Sequence, residues 1–125
     1  MVRIKRAFDS PSEDDGFRIL VDRLWPRGMT KEKADIDLWM RDVAPSTGLR
    51  KWYHHDQRKW DQFYRKYDRE LGHKPNLLDK IEEYERECGT VTLVFSAKDE
   101  EHNNAVVLHD KVRLWEEHHP LETGE

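Results

Sequence analysis

One cysteine among 125 residues, Cys88, excludes an internal disulfide and fits a reducing cytoplasm. No apolar run approaches the roughly 18 residues that a membrane-spanning helix needs, and no basic-then-apolar leader opens the chain, so neither membrane insertion nor secretion is expected. Gly-rich phosphate loops and Gly-x-Ser-x-Gly elbows are missing. His54, His55 and Asp56 cluster, but no recognised zinc spacing surrounds them and no metal is expected. There is no internal repeat, low-complexity tract or domain boundary. Apolar residues make up only 36% of the chain, yet five Trp, four Tyr and four Phe supply large buried areas, which points to one small core rich in rings. The net charge of -4 conceals a basic first half and a strongly acidic second half. Overall charge therefore argues against nucleic acid, while a local basic patch in the first half keeps that partner open.

The hydrophobic patterning gives an α/β chain. Val2 to Ala7 alternates apolar and basic residues as a half-exposed strand does, and Asp9 to Gly16 is an acidic, solvated connection. Phe17 to Leu24 is a more buried strand, and with no helix between them the first two strands are expected as an antiparallel pair or hairpin. Thr30 caps a short turn, and Ile36, Leu38 and Met40 alternate as in a strand. Behind Pro45, Ser46 caps a helix to about His54. From Asp56 the apolar stripe Trp60, Phe63, Tyr64, Tyr67, Leu71 marks an amphipathic helix with Gly72 at its C′ position. Pro75 opens the next helix, whose stripe is Leu78, Ile81, Tyr84, Glu85 and Cys88, closed by Gly89. The β-branched run Thr90 to Phe95 reads as a central strand covered on both faces, followed by a helix carrying Ala105, Leu108, Val112 and Trp115 on one side. The expected fold is a single α/β domain over residues 1–115, with a small mixed sheet of about four strands and helices packed on it. A flexible tail is expected over 116–125, where periodicity is lost.

Two strand ends concentrate the chemistry. Asp22 to Gly28 stops and aims the backbone with Pro26 and Gly28, and offers the guanidinium forks of Arg23 and Arg27 around the face of Trp25. Ser96 to Asn104 brings Lys98, Asp99, His102 and Asn103 to the start of the last helix, where Ser96 and Asp99 also match a Ser-x-x-Asp cap. Together these segments would hold an anion, with Asp99 or His102 able to move a proton if a reaction occurs. Cys88 ends a helix and is expected to be inert.

The segments Val21 to Gly28, Ala44-Pro45-Ser46 with Leu49 to Trp52, and Val91 to Leu93 through Lys98 to Leu108, in that order, resemble the YeaO-like family, domain of unknown function 488. The resemblance spans about Val2 to Leu114. It implies a small bacterial or archaeal α/β protein, brings no established activity, and leaves any cofactor open. By resemblance the candidate residues are Arg23, Trp25, Arg27, Ser46, Arg50, Trp52, Lys98 and Asn103 for ligand binding, with Asp99 and His102 for proton transfer. The leading expectation is a cytoplasmic protein that binds a small phosphate- or carboxylate-bearing anion. A nucleic-acid binder stacking bases on Trp25 or Trp52 is one alternative. A scaffold whose arginines pair with protein carboxylates is the other.

Overall fold

The computed structural model describes residues 1–118. At its centre lies β4 (Val91–Phe95), in which every residue is buried. It pairs on one side with β1 (Val2–Arg6) and on the other with β2 (Phe17–Leu20), and β2 carries the two-residue strand β3 (Leu38–Trp39) at the far edge. Four strands with helices packed on them agree with the sequence reading, as does the central place of β4. Both expectations about pairing are corrected. β1 and β2 form no hairpin, and the sheet is parallel throughout instead of mixed. The local pattern shows that each segment is extended, but the strand that separates them arrives only at Val91.

The connection from β1 to β2 is more ordered than its acidic composition implies. Ser12 caps a 3-10 turn, Glu13–Asp15, accepting from the Asp14 amide, and Asp15 itself is buried. Arg18, 2% exposed, donates to Asp15 at 2.6 Å and to the carbonyls of Ala34 and Asp35 at 2.8 and 2.9 Å. Lys5 reaches both carboxylate oxygens at 3.1 Å. Burial would raise the Asp15 carboxyl, but the Ser12 amide, Lys5 and Arg18 outweigh it and hold it below its ordinary value. Gly16 has φ 63°, and a Cβ there would lie 2.2 Å from the Thr90 carbonyl oxygen, so only glycine lets this segment run against the start of β4.

Among the described residues five α-helices pack on the sheet: α1 (Lys31–Ala34), α2 (Thr47–Tyr53), α3 (Trp60–Gly72), α4 (Pro75–Cys88) and α5 (Asn104–His118). Thr30 and Ser46 cap α1 and α2 as expected, accepting from the amides of Lys33 and Leu49. The main core joins Phe63, Tyr67 and Leu71 of α3, Leu78 and Ile81 of α4, and Leu108 and Val112 of α5 to Ile19, Leu93 and Phe95 of the sheet. A smaller cluster of Ala7, Leu20 and Val94 lies under Trp25, Ile36 and Trp39. Gly72 is the last residue of α3 and not its left-handed terminator; Pro75, at the first turn of α4, separates the two helices. Cys88, expected on the apolar stripe of α4, is exposed. α5 runs to His118, past the point where periodicity stops. The remainder of the expected tail, 119–125, lies outside the described residues.

Near the end of α5 the Glu116 carboxyl is pushed up to about 8 by burial, and by the hydrogen bond and charge of Glu85 with the charge of Glu82 nearby. A carboxyl raised above its ordinary 4.5 is protonated in the folded chain and ionised in the unfolded one between those values. Its contribution to stability is therefore lost as pH rises through that window. Glu116→Gln is expected to be more stable than the parent by about 1 kcal/mol at pH 9, with the difference vanishing near pH 4. Melting curves of both proteins across this range test it; a constant difference would refute the assignment.

Candidate functional site

Because β2 and β4 are parallel neighbours, their carboxyl ends leave the sheet side by side, and the two motif segments converge. Asp22 ties them together. Its Oδ2 accepts from the Ser96 amide at 3.0 Å and the Ser96 hydroxyl at 2.6 Å, and its Oδ1 accepts from Asn104 Nδ2 at 3.1 Å. Asn104 Nδ2 also donates to the Val21 carbonyl. Asn103 Oδ1 accepts from the Val106 amide at 3.1 Å, so Asn103 caps α5, and its Nδ2 donates to the Asp99 carbonyl. The capping expectation for Ser96 and Asp99 is thus corrected: Ser96 is engaged by Asp22, and Asp99 closes its own turn by accepting from the amides of Glu101 and His102 at 3.0 Å. On the other segment, Trp25 donates from Nε1 to the Met29 carbonyl at 2.6 Å and sits edge-on to Trp39, while Gly28 takes φ 79°.

Between these segments and α2 lies an open cavity of about 720 Å³. Arg23, Trp25 and Arg27 line it from the β2 side, Lys98, Asp99, His102 and Asn103 from the β4 side, and Arg50 from α2. Ser46 and Trp52 are not among its walls. Ser46 sits at the start of α2, where its amide and hydroxyl both donate to Glu70 at 2.8 and 2.6 Å. Trp52 lies two residues beyond Arg50, roughly 200° around the helix, with the ammonium groups of Lys59 and Lys66 over its ring at 5.0 and 4.0 Å.

The sequence reading missed Asp22 as the clamp, and Tyr53, Phe63, His55 and Gln57 as walls. Asp22 lay inside the densest motif and could have been found there. His55 has no such signal: it reaches the cavity because His54 and His55 are both left-handed, at φ 45° and 56°. That conformation is costly for side chains other than glycine and is held by the turn that follows.

The cations around the cavity are weakly engaged. Arg23 donates from Nε and Nη2 to the Pro45 carbonyl, both at 3.4 Å. Among the described residues, the side chains of Arg27, Arg50 and Lys98 make no hydrogen bond or ion pair. The acids are occupied by contrast. Besides the two amides, Asp99 accepts from Gln57 Nε2 at 2.7 Å and faces His102 Nδ1 at 3.0 Å. Burial would raise the Asp99 carboxyl, but these donors together hold it below its ordinary value. The Asp99 contact fixes a proton on His102 Nδ1 and leaves Nε2 for other partners. The His102 ring stands edge-on to Trp60, and Tyr53 stacks on Phe63 while donating to the His102 carbonyl at 3.2 Å. Burial, then the charges of Asp99 and Asp56, push the Tyr53 hydroxyl up, so it stays protonated.

A family model described as the inactive DUF488-N3 subclade matches residues 1–122. The chain belongs to that subclade. It is 37% identical to the uncharacterized protein YeaO of Escherichia coli over 90% of this chain and 96% of YeaO. It is 46% identical over 70 residues to the uncharacterized protein Rv3073c of Mycobacterium tuberculosis, a match that covers 56% of this chain and 59% of that protein's length. No solved structure matches the chain. The YeaO-like resemblance carried by the three motifs is therefore family membership. In this DUF488-N3 chain two of those motifs meet at the cavity, and the third contributes Arg50 there. The chain's single thiol, on Cys88, is not among the walls. Among the described residues no three metal-ligating side chains are grouped to hold an ion, and no helix is long and apolar enough to cross a membrane.

Proposed function

We propose that this protein binds a small organic anion, through its phosphate or carboxylate, in the cavity at the ends of β2 and β4. The observation that carries the reading is the set of cations around that cavity, three of which have no protein partner among the described residues. An exposed guanidinium with no protein acceptor is a ready donor fork for an oxyanion. The scaffold alternative needs arginines paired to protein carboxylates, and the nucleic-acid alternative loses one of its stacking rings, since Trp52 is covered by two lysines. Asn103 holds the loop from the Asp99 carbonyl, and His102 offers Nε2 to the ligand. Binding is favoured over covalent catalysis because no thiol lines the cavity, the Ser96 hydroxyl is bound to Asp22, and the family description is of an inactive subclade. If a proton does move, Asp99 and His102 are the pair that would carry it. One exposed thiol without a partner cysteine fits the cytoplasm, where we place the protein.

A thermal-shift screen of the parent and an Arg23→Ala, Arg27→Ala double variant against phosphate, sulfate, sugar phosphates, carboxylates and nucleotides tests the reading. A ligand at 100 times its dissociation constant adds about 2.7 kcal/mol, several degrees for a domain of this size. The double variant is expected to keep its own melting temperature within about 2 °C and to lose the shift. Equal shifts for both proteins would place the ligand elsewhere.

A further inference from the structure

We infer that the anion carries a flat ring, and that the cavity is built for a nucleoside 5′-phosphate. This rests on the anion-binding reading above and specifies the ligand's class. A cavity of about 720 Å³ is far larger than phosphate or sulfate requires, and falls in the range of roughly 300–1,000 Å³ typical of organic cofactors and nucleotides. Its walls are also divided. Arg23, Arg27 and Lys98 supply charge, whereas Leu24 and the half-buried Trp25 supply accessible apolar surface; Pro26, Tyr53 and Phe63 also line the cavity but are buried.

The polar atoms of the rings are already satisfied inside the protein. Trp25 Nε1 donates to Met29 and the Tyr53 hydroxyl donates to the His102 carbonyl, and with Tyr53 buried the ring surface left for a ligand is the apolar part of Trp25. That ring is also held in place before any ligand arrives, by its edge-on contact with Trp39. A sugar phosphate would satisfy the cations and leave Trp25 and Leu24 wet, while an aromatic base covers them at little ordering cost. Beside the rings, Gln57 donates through Nε2 to Asp99, which leaves its Oε1 as an acceptor, and His102 Nε2 is a second polar atom. These groups suit the edge of a nucleobase, which carries donors and acceptors in its plane.

The same chemistry occurs in a free nucleotide and at the phosphorylated 5′ end of an oligonucleotide. Calorimetric titration of the full chain with AMP, CMP, GMP, UMP, ribose 5-phosphate, adenosine, inorganic phosphate and a 5′-phosphorylated tetranucleotide separates the possibilities. At least one monophosphate is expected to bind at least tenfold more tightly than ribose 5-phosphate and inorganic phosphate, with Arg27→Ala weakening it about tenfold or more. Comparable binding of the tetranucleotide assigns the site to a chain end, and its failure to bind assigns it to the free nucleotide. If ribose 5-phosphate binds as tightly as every nucleotide, the ring assignment is overturned and anion binding stands. If no phosphate-bearing probe binds, or adenosine binds as well as AMP, anion binding falls and takes this inference with it.

Discussion

Replacement of Asp15 by alanine is expected to lower stability by about 3–5 kcal/mol, because it strips a buried guanidinium of its counter-charge. Arg18 would keep its hydrogen bonds to Ala34 and Asp35 but would hold a full charge out of water without its ion-pair partner. Lys5 and the Ser12 amide would lose their acceptor as well. Against a total of roughly 5–15 kcal/mol for a domain, such a variant sits at the margin of folding. Urea unfolding of Asp15→Ala measures the loss, and a change below about 1 kcal/mol would sink the argument. A double variant, Asp15→Ala with Arg18→Met, should recover much of it, since no charge is then left buried. The acid limb has a defined sign. Because the folded Asp15 carboxyl lies below its ordinary 3.8, its contribution is present above that value and is lost as pH falls through the folded one.

The second large effect is expected at Asp22. Asp22→Ala removes the acceptor for the Ser96 amide, the Ser96 hydroxyl and Asn104 Nδ2, and should cost about 2–3 kcal/mol. Asp22→Asn is not a mild substitute. All three partners donate, so an amide nitrogen at either position meets a donor where a carboxylate oxygen accepted. Both variants are expected to release the Ser96 end from the Asp22 end, and therefore to lose ligand-induced stabilisation as well as intrinsic stability. Hydrogen exchange at the Ser96 amide reads the local event directly. If that amide stays protected in Asp22→Ala, the clamp is not what joins the two segments.

The elements that could be read from the sequence are those whose cause is local. The stripe from Trp60 to Leu71 is a helix because its own spacing makes one apolar face, and its buried members Phe63, Tyr67 and Leu71 are three of the residues named from that spacing. The Thr90 to Phe95 run is central because a strand with no polar face can only be covered twice. The pairing of β1 and β2 was not legible, since their shared partner pairs 89 residues from β1 and 74 from β2 and no short-range signal encodes it. Within the site, the segments dense in arginine, tryptophan and turn residues were found, because such density has a local cause in the backbone. Ser46 and Trp52 are candidates by the family resemblance, in the same motif as Arg50, and stand elsewhere. A helix turns about 100° per residue, so neighbours in sequence are not neighbours in space. Asp15 was read as solvent-facing because a run of acids looks alike whether or not one member turns inward.

The order β1-β4-β2-β3 has a consequence for how the protein is made. The strand that joins the sheet is the last of the four to leave the ribosome, and at about 5–20 residues per second it trails β2 by several seconds. Throughout that interval β1 and β2 have no partner in each other, and the apolar run Ile19-Leu20-Val21 waits uncovered. Arg3, Lys5 and Arg6, spread along β1, put repelling charges on one of the two waiting strands.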